Sequence, residues 1–192
     1  KGPESLPGVV YLIWAPSGKR VRIAVVGKYA EHTDAYKSIY EALDHAGIHN
    51  HARIKVGRIH SEAIERDGPD QLLEGYDGIL VPGGFGERGI EGKLASVKWA
   101  REHGIPFLGI CLGFQMAVVE FARNVVELEG ANSAEFDVNC AHPVISELPD
   151  QKEIEGLGGT MRLGGQDVEI TAGTFAEKLF GATSVRERFR HR

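Results

Sequence analysis

Apolar and polar residues follow one another along this chain in two rhythms: short β-branched runs, and longer stretches with helical spacing. Val21-Arg22-Ile23-Ala24-Val25-Val26-Gly27 is a β-branched run closed by glycine, the pattern of a strand buried in a parallel sheet. From Asp34 to Ala46 the spacing places Tyr36, Ile39, Tyr40 and Leu43 on one helical face, with Gly47 as the expected C-cap. Arg53 to Ile59 alternates as a second strand. Asp77 to Val81 reads as a third, closed by Pro82-Gly83-Gly84-Phe85-Gly86. Residues 90–103 read as a helix, Ile105 to Ile110 as a strand, and Gln115 to Val126 as the next helix. Strands and helices that alternate over short connections predict an α/β fold, a mainly parallel open sheet with helices on both faces. Ligands of such sheets bind at the carboxyl ends of the strands. The loop 83–86 and the turn around Cys111 therefore fall on one rim.

The two ends follow a weaker pattern. Residues 1–20, punctuated by Pro3, Pro7, Pro16, Gly2, Gly8 and Gly18, are expected to be a linker or an upstream remnant, and residues 21–192 one domain. Past Val126, residues 132–138 are polar and residues 157–165 read as a glycine-dense loop. Asp167 to Thr171 reads as a short strand and Ala176 to Phe180 as a helical turn. Arg186 to Arg192 has the charge alternation of an edge strand, a pattern that is usually a solvated face.

Composition narrows the function classes. A chain of 192 residues, 42% hydrophobic and 26% charged, is a globular domain of ordinary size. A net charge of −5 without any Lys/Arg run argues against a nucleic-acid-binding surface. The apolar stretches are far short of a membrane span. Cys111 and Cys140 stand in unlike contexts and suggest neither a disulfide framework nor a metal site, which fits a reducing, cytoplasmic setting.

The chemistry gathers at Gly109-Ile110-Cys111-Leu112-Gly113-Phe114-Gln115. A cysteine between glycines, where a strand passes straight into a helix, is pushed out at the strand's carboxyl end. There the first free N–H groups of the helix favour thiolate over thiol. A cysteine after an apolar run is as easily a core residue, and on these residues alone both readings stand. The loop 83–86 is not a dinucleotide fingerprint, and Gly27-Lys28 lacks a phosphate-binding glycine loop. A backbone N–H loop opposite a cysteine is a layout suited to holding an oxyanion during acyl transfer.

Those residues resemble the nucleophile elbow of class I glutamine amidotransferases. The resemblance narrows with Val26-Gly27-Lys28-Tyr29, Asp34-Ala35-Tyr36-Lys37-Ser38, and Val81 to Gly89. It extends through 117–124, Ala134-Glu135-Phe136-Asp137, 158–164 and 186–192, in the order found in the glutaminase domain of the CTP synthase family. It implies a flavodoxin-like amidotransferase architecture with Cys111 as nucleophile and the N–H groups of Gly84 and Leu112 as oxyanion donors. It further implies Gln115, Glu135 and Arg192 as the grip on glutamine, and the 158–164 loop as a lid linked to GTP activation. No cofactor is implied within this domain and no metal site. ATP, Mg2+ and UTP are implied for a synthase domain partner, GTP as activator, and a homo-tetramer for the whole enzyme.

The family also implies a His-Pro-Glu segment beyond the position of Arg192, so the domain is expected to lack its C-terminal end in this sequence. His142-Pro143-Val144 lies elsewhere and has no glutamate, and His191 matches no catalytic position. Two rival readings follow. One is a non-catalytic module that binds glutamine or a partner, and the other a cysteine hydrolase similar to γ-glutamyl hydrolases.

Overall fold

The computed structural model describes residues 18–146 and 162–191, and the chain divides after Ser146 into two compact units. In the first, β1 (Arg20–Gly27), β2 (Arg53–His60), β3 (Gly78–Val81) and β4 (Phe107–Gly109) form one sheet in the order β2-β1-β3-β4. Every pairing in it is parallel.

The alternation of side chains along β1 divides the core. Ala24 and Val26 share one face with Ile79 and Val81 of β3. Against them pack Ile64 of α2 (Ser61–Asp67), Leu73 of α3 (Asp70–Leu73), and Trp99 and Ala100 of α4 (Ile90–Glu102). Val25 and Leu80 point the other way, under Tyr36, Ile39, Tyr40 and Leu43. The expected apolar face is therefore the one that docks, and helices cover both faces. Each fully buried Val, Leu or Ile side chain contributes about 1.5–3 kcal/mol.

Two boundaries differ from expectation. Residues Thr33–Tyr36 form a 3-10 turn, and α1 proper is Lys37–His49. Gly47 is not the C-cap but a buried position inside α1, where a Cβ would lie 2.8 Å from both the Ala52 carbonyl oxygen and Ile54 Cγ1. Its glycine serves the close approach of the chain entering β2, a demand that local helix-ending rules do not see.

The helix that follows β4, α5 (Leu112–Asn124), packs on α4 through Leu112, Met116 and Val119 against Ile90, Leu94 and Val97. A polar clamp joins the same two helices. Glu120, 2% exposed, accepts from Arg101 Nη2 at 2.7 Å and Nε at 3.1 Å, which raises the pKa of the guanidinium further. Burying a carboxylate is costly unless such hydrogen bonds satisfy it. The run 105–110 yields only the three residues of β4, at the sheet edge, and Leu108 and Ile110 are exposed.

Two segments complete the first unit. β5 (Ala131–Ser133) and β6 (His142–Ile145) pair in parallel, and Arg123 Nε donates to the Ala131 carbonyl at 2.6 Å. Phe136, Val144 and Ile145 pack on the cluster that holds Leu112 and Met116. That brings the loop after β5 to the helix carrying the cysteine turn. The polar pattern of residues 132–138 gave no sign of this pair.

In the second unit β7 (Arg162–Glu169) and β8 (Ser184–His191) run antiparallel, with α6 (Phe175–Phe180) between them. The charged alternation of β8 is thus strand, and Arg186 pairs with the facing Asp167 at 2.8 Å. β7 begins at Arg162, not Asp167, so the last residues of the expected glycine loop are strand. Residues 157–161 of that loop lie outside the described residues, as do 1–17 of the expected linker.

Candidate active site

Cys111 stands between β4 and α5, as the residue preceding the first helical turn, at φ 53° and ψ −110°. A non-glycine residue held there costs about 1–3 kcal/mol, and such strain collects at functional sites. It turns the side chain out of the core, and Cys111 is exposed. The buried-core reading of this cysteine is therefore set aside.

The flanking glycines make the turn possible. A Cβ on Gly113 would overlap the carbonyl oxygen of Val81, and one on Gly109 would lie 2.5 Å from the carbonyl carbon of Gly113. Strand, turn and helix thus touch backbone to backbone. Hydrogen bonds from Gly113 N to Ile110 O (2.9 Å) and from Ile110 N to Val81 O (2.9 Å) lock the turn to β3.

The glycine loop after β3 lies directly alongside. A Cβ on Gly83 would be 3.3 Å from Cys111 Cβ and 3.9 Å from its Sγ, and one on Gly84 would be 3.7 Å from Leu112 Cδ2. Cys111, Gly84 and Leu112 are thus brought together. No backbone hydrogen bond among the described residues uses the N–H of Gly84 or Leu112. Gln115, half-buried, sits in the first turn of α5 with its N–H on the Cys111 carbonyl at 3.1 Å. Glu135 is exposed in the turn after β5, beside Phe136, with its N–H on Ser133 Oγ at 3.2 Å. Arg192 lies outside the described residues. His142 opens β6 in register with Ala131, and no hydrogen bond among the described residues joins it to Cys111.

The rim holds a residue that the sequence reading passed over. Lys93 of α4 is 2% exposed, and burial together with the charges of Lys28 and Arg88 holds its pKa down to about 8, with Glu65 opposing. Its signal was positional: Lys93 falls with Ile90, Leu94 and Val97 on the inward stripe of an amphipathic helix. Between pH 8 and 10.5 the folded chain releases this proton while the unfolded chain keeps it, so stability rises with pH across that window. Below pH 8 the full cost is present. Lys93→Met is therefore expected to stabilise the fold at pH 7 by up to about 3 kcal/mol. Urea unfolding at pH 7 and pH 10 checks this, since the gain over wild type must shrink at the higher pH.

Among the described residues no group of His, Cys, Asp and Glu is arranged to hold a metal ion. No described helix is long and apolar enough to cross a membrane.

The family model of class-I glutamine amidotransferases matches residues 31–192. Among curated proteins, the CTP synthase of Methanocaldococcus jannaschii is 56% identical over 178 residues, covering 90% of this chain and 33% of that protein. The CTP synthase of Geotalea uraniireducens is 51% identical, covering 100% of this chain and 36% of that protein. The chain thus spans about a third of the length of these relatives. Among solved structures, the glutaminase domain of Trypanosoma brucei CTPS, with acivicin bound, is similar at a TM-score of 0.79 and 39% identity, over 90% of this chain and 67% of that one. On the family model's match to most of its length and the likeness to that solved glutaminase domain, the chain belongs to the class-I glutamine amidotransferases, among the glutaminase domains of CTP synthases.

Proposed function

We propose that Cys111 hydrolyses glutamine and that the ammonia serves amination of UTP to CTP in a larger enzyme. The observation that carries this is the strained, outward-turned Cys111 beside unclaimed backbone N–H groups. The Cys111 thiolate attacks the side-chain amide carbon of glutamine, and the carbonyl π pair moves onto oxygen. Gly84 and Leu112 N–H groups hold that oxyanion; one such donor is worth about 10²–10³ in rate. Collapse of the intermediate expels the amide nitrogen, which takes up a proton and leaves as ammonia. Water then cleaves the thioester to glutamate and restores the thiolate. Proton transfer belongs to the His-Pro-Glu segment that the family resemblance implies.

Gln115, Glu135 and Arg192 are the proposed contacts to the amino-acid end of glutamine. Carboxylates suit its ammonium, and a guanidinium suits its carboxylate. The synthase domain partner would use ATP, Mg2+ and UTP, with GTP as activator, in a cytoplasmic homo-tetramer.

The test is intact-mass analysis after incubation with acivicin. A single adduct mapped to Cys111, and slowed by glutamine, is the expected result. Failure to label, or labelling at Cys140, would overturn the reading in favour of a binding module.

A further inference from the structure

Glu135 is exposed, and among the described residues its carboxylate has no hydrogen bond or ion pair. Its direction is therefore set by the backbone that carries it. That backbone is held on both sides. Ala134, before it, donates its N–H to the Ile145 carbonyl at 2.8 Å. Phe136, after it, packs on the cluster of Leu112 and Met116 in the helix that follows Cys111. Of these three residues Glu135 alone is exposed.

The turn is made by Ser133, which is 1% exposed. Its Oγ accepts the N–H of Glu135 at 3.2 Å, and its carbonyl oxygen accepts those of Phe136 and Asp137, each at 3.0 Å. One residue thus holds three successive N–H groups. Any residue would supply the carbonyl, but few would supply the hydroxyl. A buried hydroxyl is costly unless it is bonded, and alanine would fill nearly the same space without that cost. Packing alone therefore gives no reason for serine here. The strand register breaks at the same place. Asn132 lies opposite Pro143 and Ser133 opposite Ile145, so β6 carries one residue more, Val144. Such irregularities collect beside active sites, where they re-aim a side chain.

We propose that Ser133 is a positioning residue for glutamine hydrolysis: its buried hydroxyl fixes the turn 133–137 and so aims the Glu135 carboxylate at the ammonium of bound glutamine. This rests on the roles proposed above for Cys111 and Glu135. Without the hydroxyl, the Glu135 N–H turns to water and the carboxylate has to be ordered at each binding event. That cost falls on the amino-acid end of glutamine, which is held alike before and during attack on the amide carbon. The signature is a raised KM with kcat kept.

The test follows glutamate release by the enzyme joined to its synthase partner, in wild type, Ser133→Ala, Glu135→Gln and the double variant. Ser133→Ala is expected to raise KM for glutamine at least about 5-fold while kcat stays within about 2-fold. Glu135→Gln should raise KM further, and the double variant should match it, because the hydroxyl acts only through that carboxylate. Iodoacetamide, which has no amino-acid end, should alkylate Cys111 at the wild-type rate in all four. Lowered kcat with slowed alkylation in Ser133→Ala would mean that Ser133 merely supports the fold, and would overturn the proposal. So would a wild-type KM in Ser133→Ala, or a double variant whose KM rises by the product of the single effects. A wild-type KM in Glu135→Gln would overturn it together with the role of Glu135. Wild-type Cys111 left unlabelled by acivicin would overturn the glutaminase reading beneath both.

Discussion

Cys111→Ala is expected to lower glutamine hydrolysis by at least about 10⁴-fold, the scale on which loss of a covalent nucleophile is felt. Glutamate release measured on the enzyme joined to its synthase partner reads the effect directly. Amination of UTP from added ammonium chloride should persist, because it bypasses the thioester. Loss of both activities would instead mean that the substitution had damaged the fold. The backbone gives a second check. Cys111 holds φ 53°, so Cys111→Gly should be equally inactive and yet more stable than Cys111→Ala, by about 1 kcal/mol or more. Greater stability with activity lost is the signature of strain kept for function. A glycine variant no more stable than the alanine one would show that the turn is not strained.

What could be read from the sequence was whatever depends on local pattern. The strand runs at 21–27 and 53–59, and the face of Tyr36, Ile39, Tyr40 and Leu43, follow from side-chain periodicity, and the structure places them as expected. The cysteine turn was legible because glycines on both sides have few reasons to stand there, and close backbone approach is one of them. Features set by contacts between one element and another were not legible. Gly47 looked like a helix end because the Ala52 carbonyl that claims its space comes from a neighbouring segment. The β5–β6 pair is fixed by Arg123 and by packing on α5, not by alternation within two very short strands. Lys93 reads as a surface lysine until the sheet beneath α4 is in place. In each case the deciding neighbour lies outside the residue's own helix or strand.

Gly113→Ala is expected to cost about 4 kcal/mol or more, the range of single changes that a packed core cannot absorb. The added methyl group would overlap the Val81 carbonyl oxygen and come within 2.8 Å of its carbonyl carbon. Both are backbone atoms of the sheet, so no side chain can rotate away. Val81 O already accepts the Ile110 N–H at 2.9 Å, and Val81 is fully buried, which leaves β3 no room to retreat. The remaining relief is for α5 to lift from the sheet, and that movement would carry Cys111 away from Gly83 and separate Leu112 from Gly84. The variant should therefore show a lowered unfolding midpoint in urea and, in the fraction still folded, slower acivicin labelling. Gly104→Ala is the matched control: Gly104 has φ 64° but open space around it, so its cost is backbone strain alone, about 1 kcal/mol, and labelling should be unchanged. Equal losses in the two variants would show that close packing of strand against helix does not hold the elbow. A larger loss at Gly113, with slowed labelling, ties the geometry of the nucleophile to a contact too tight for any residue but glycine.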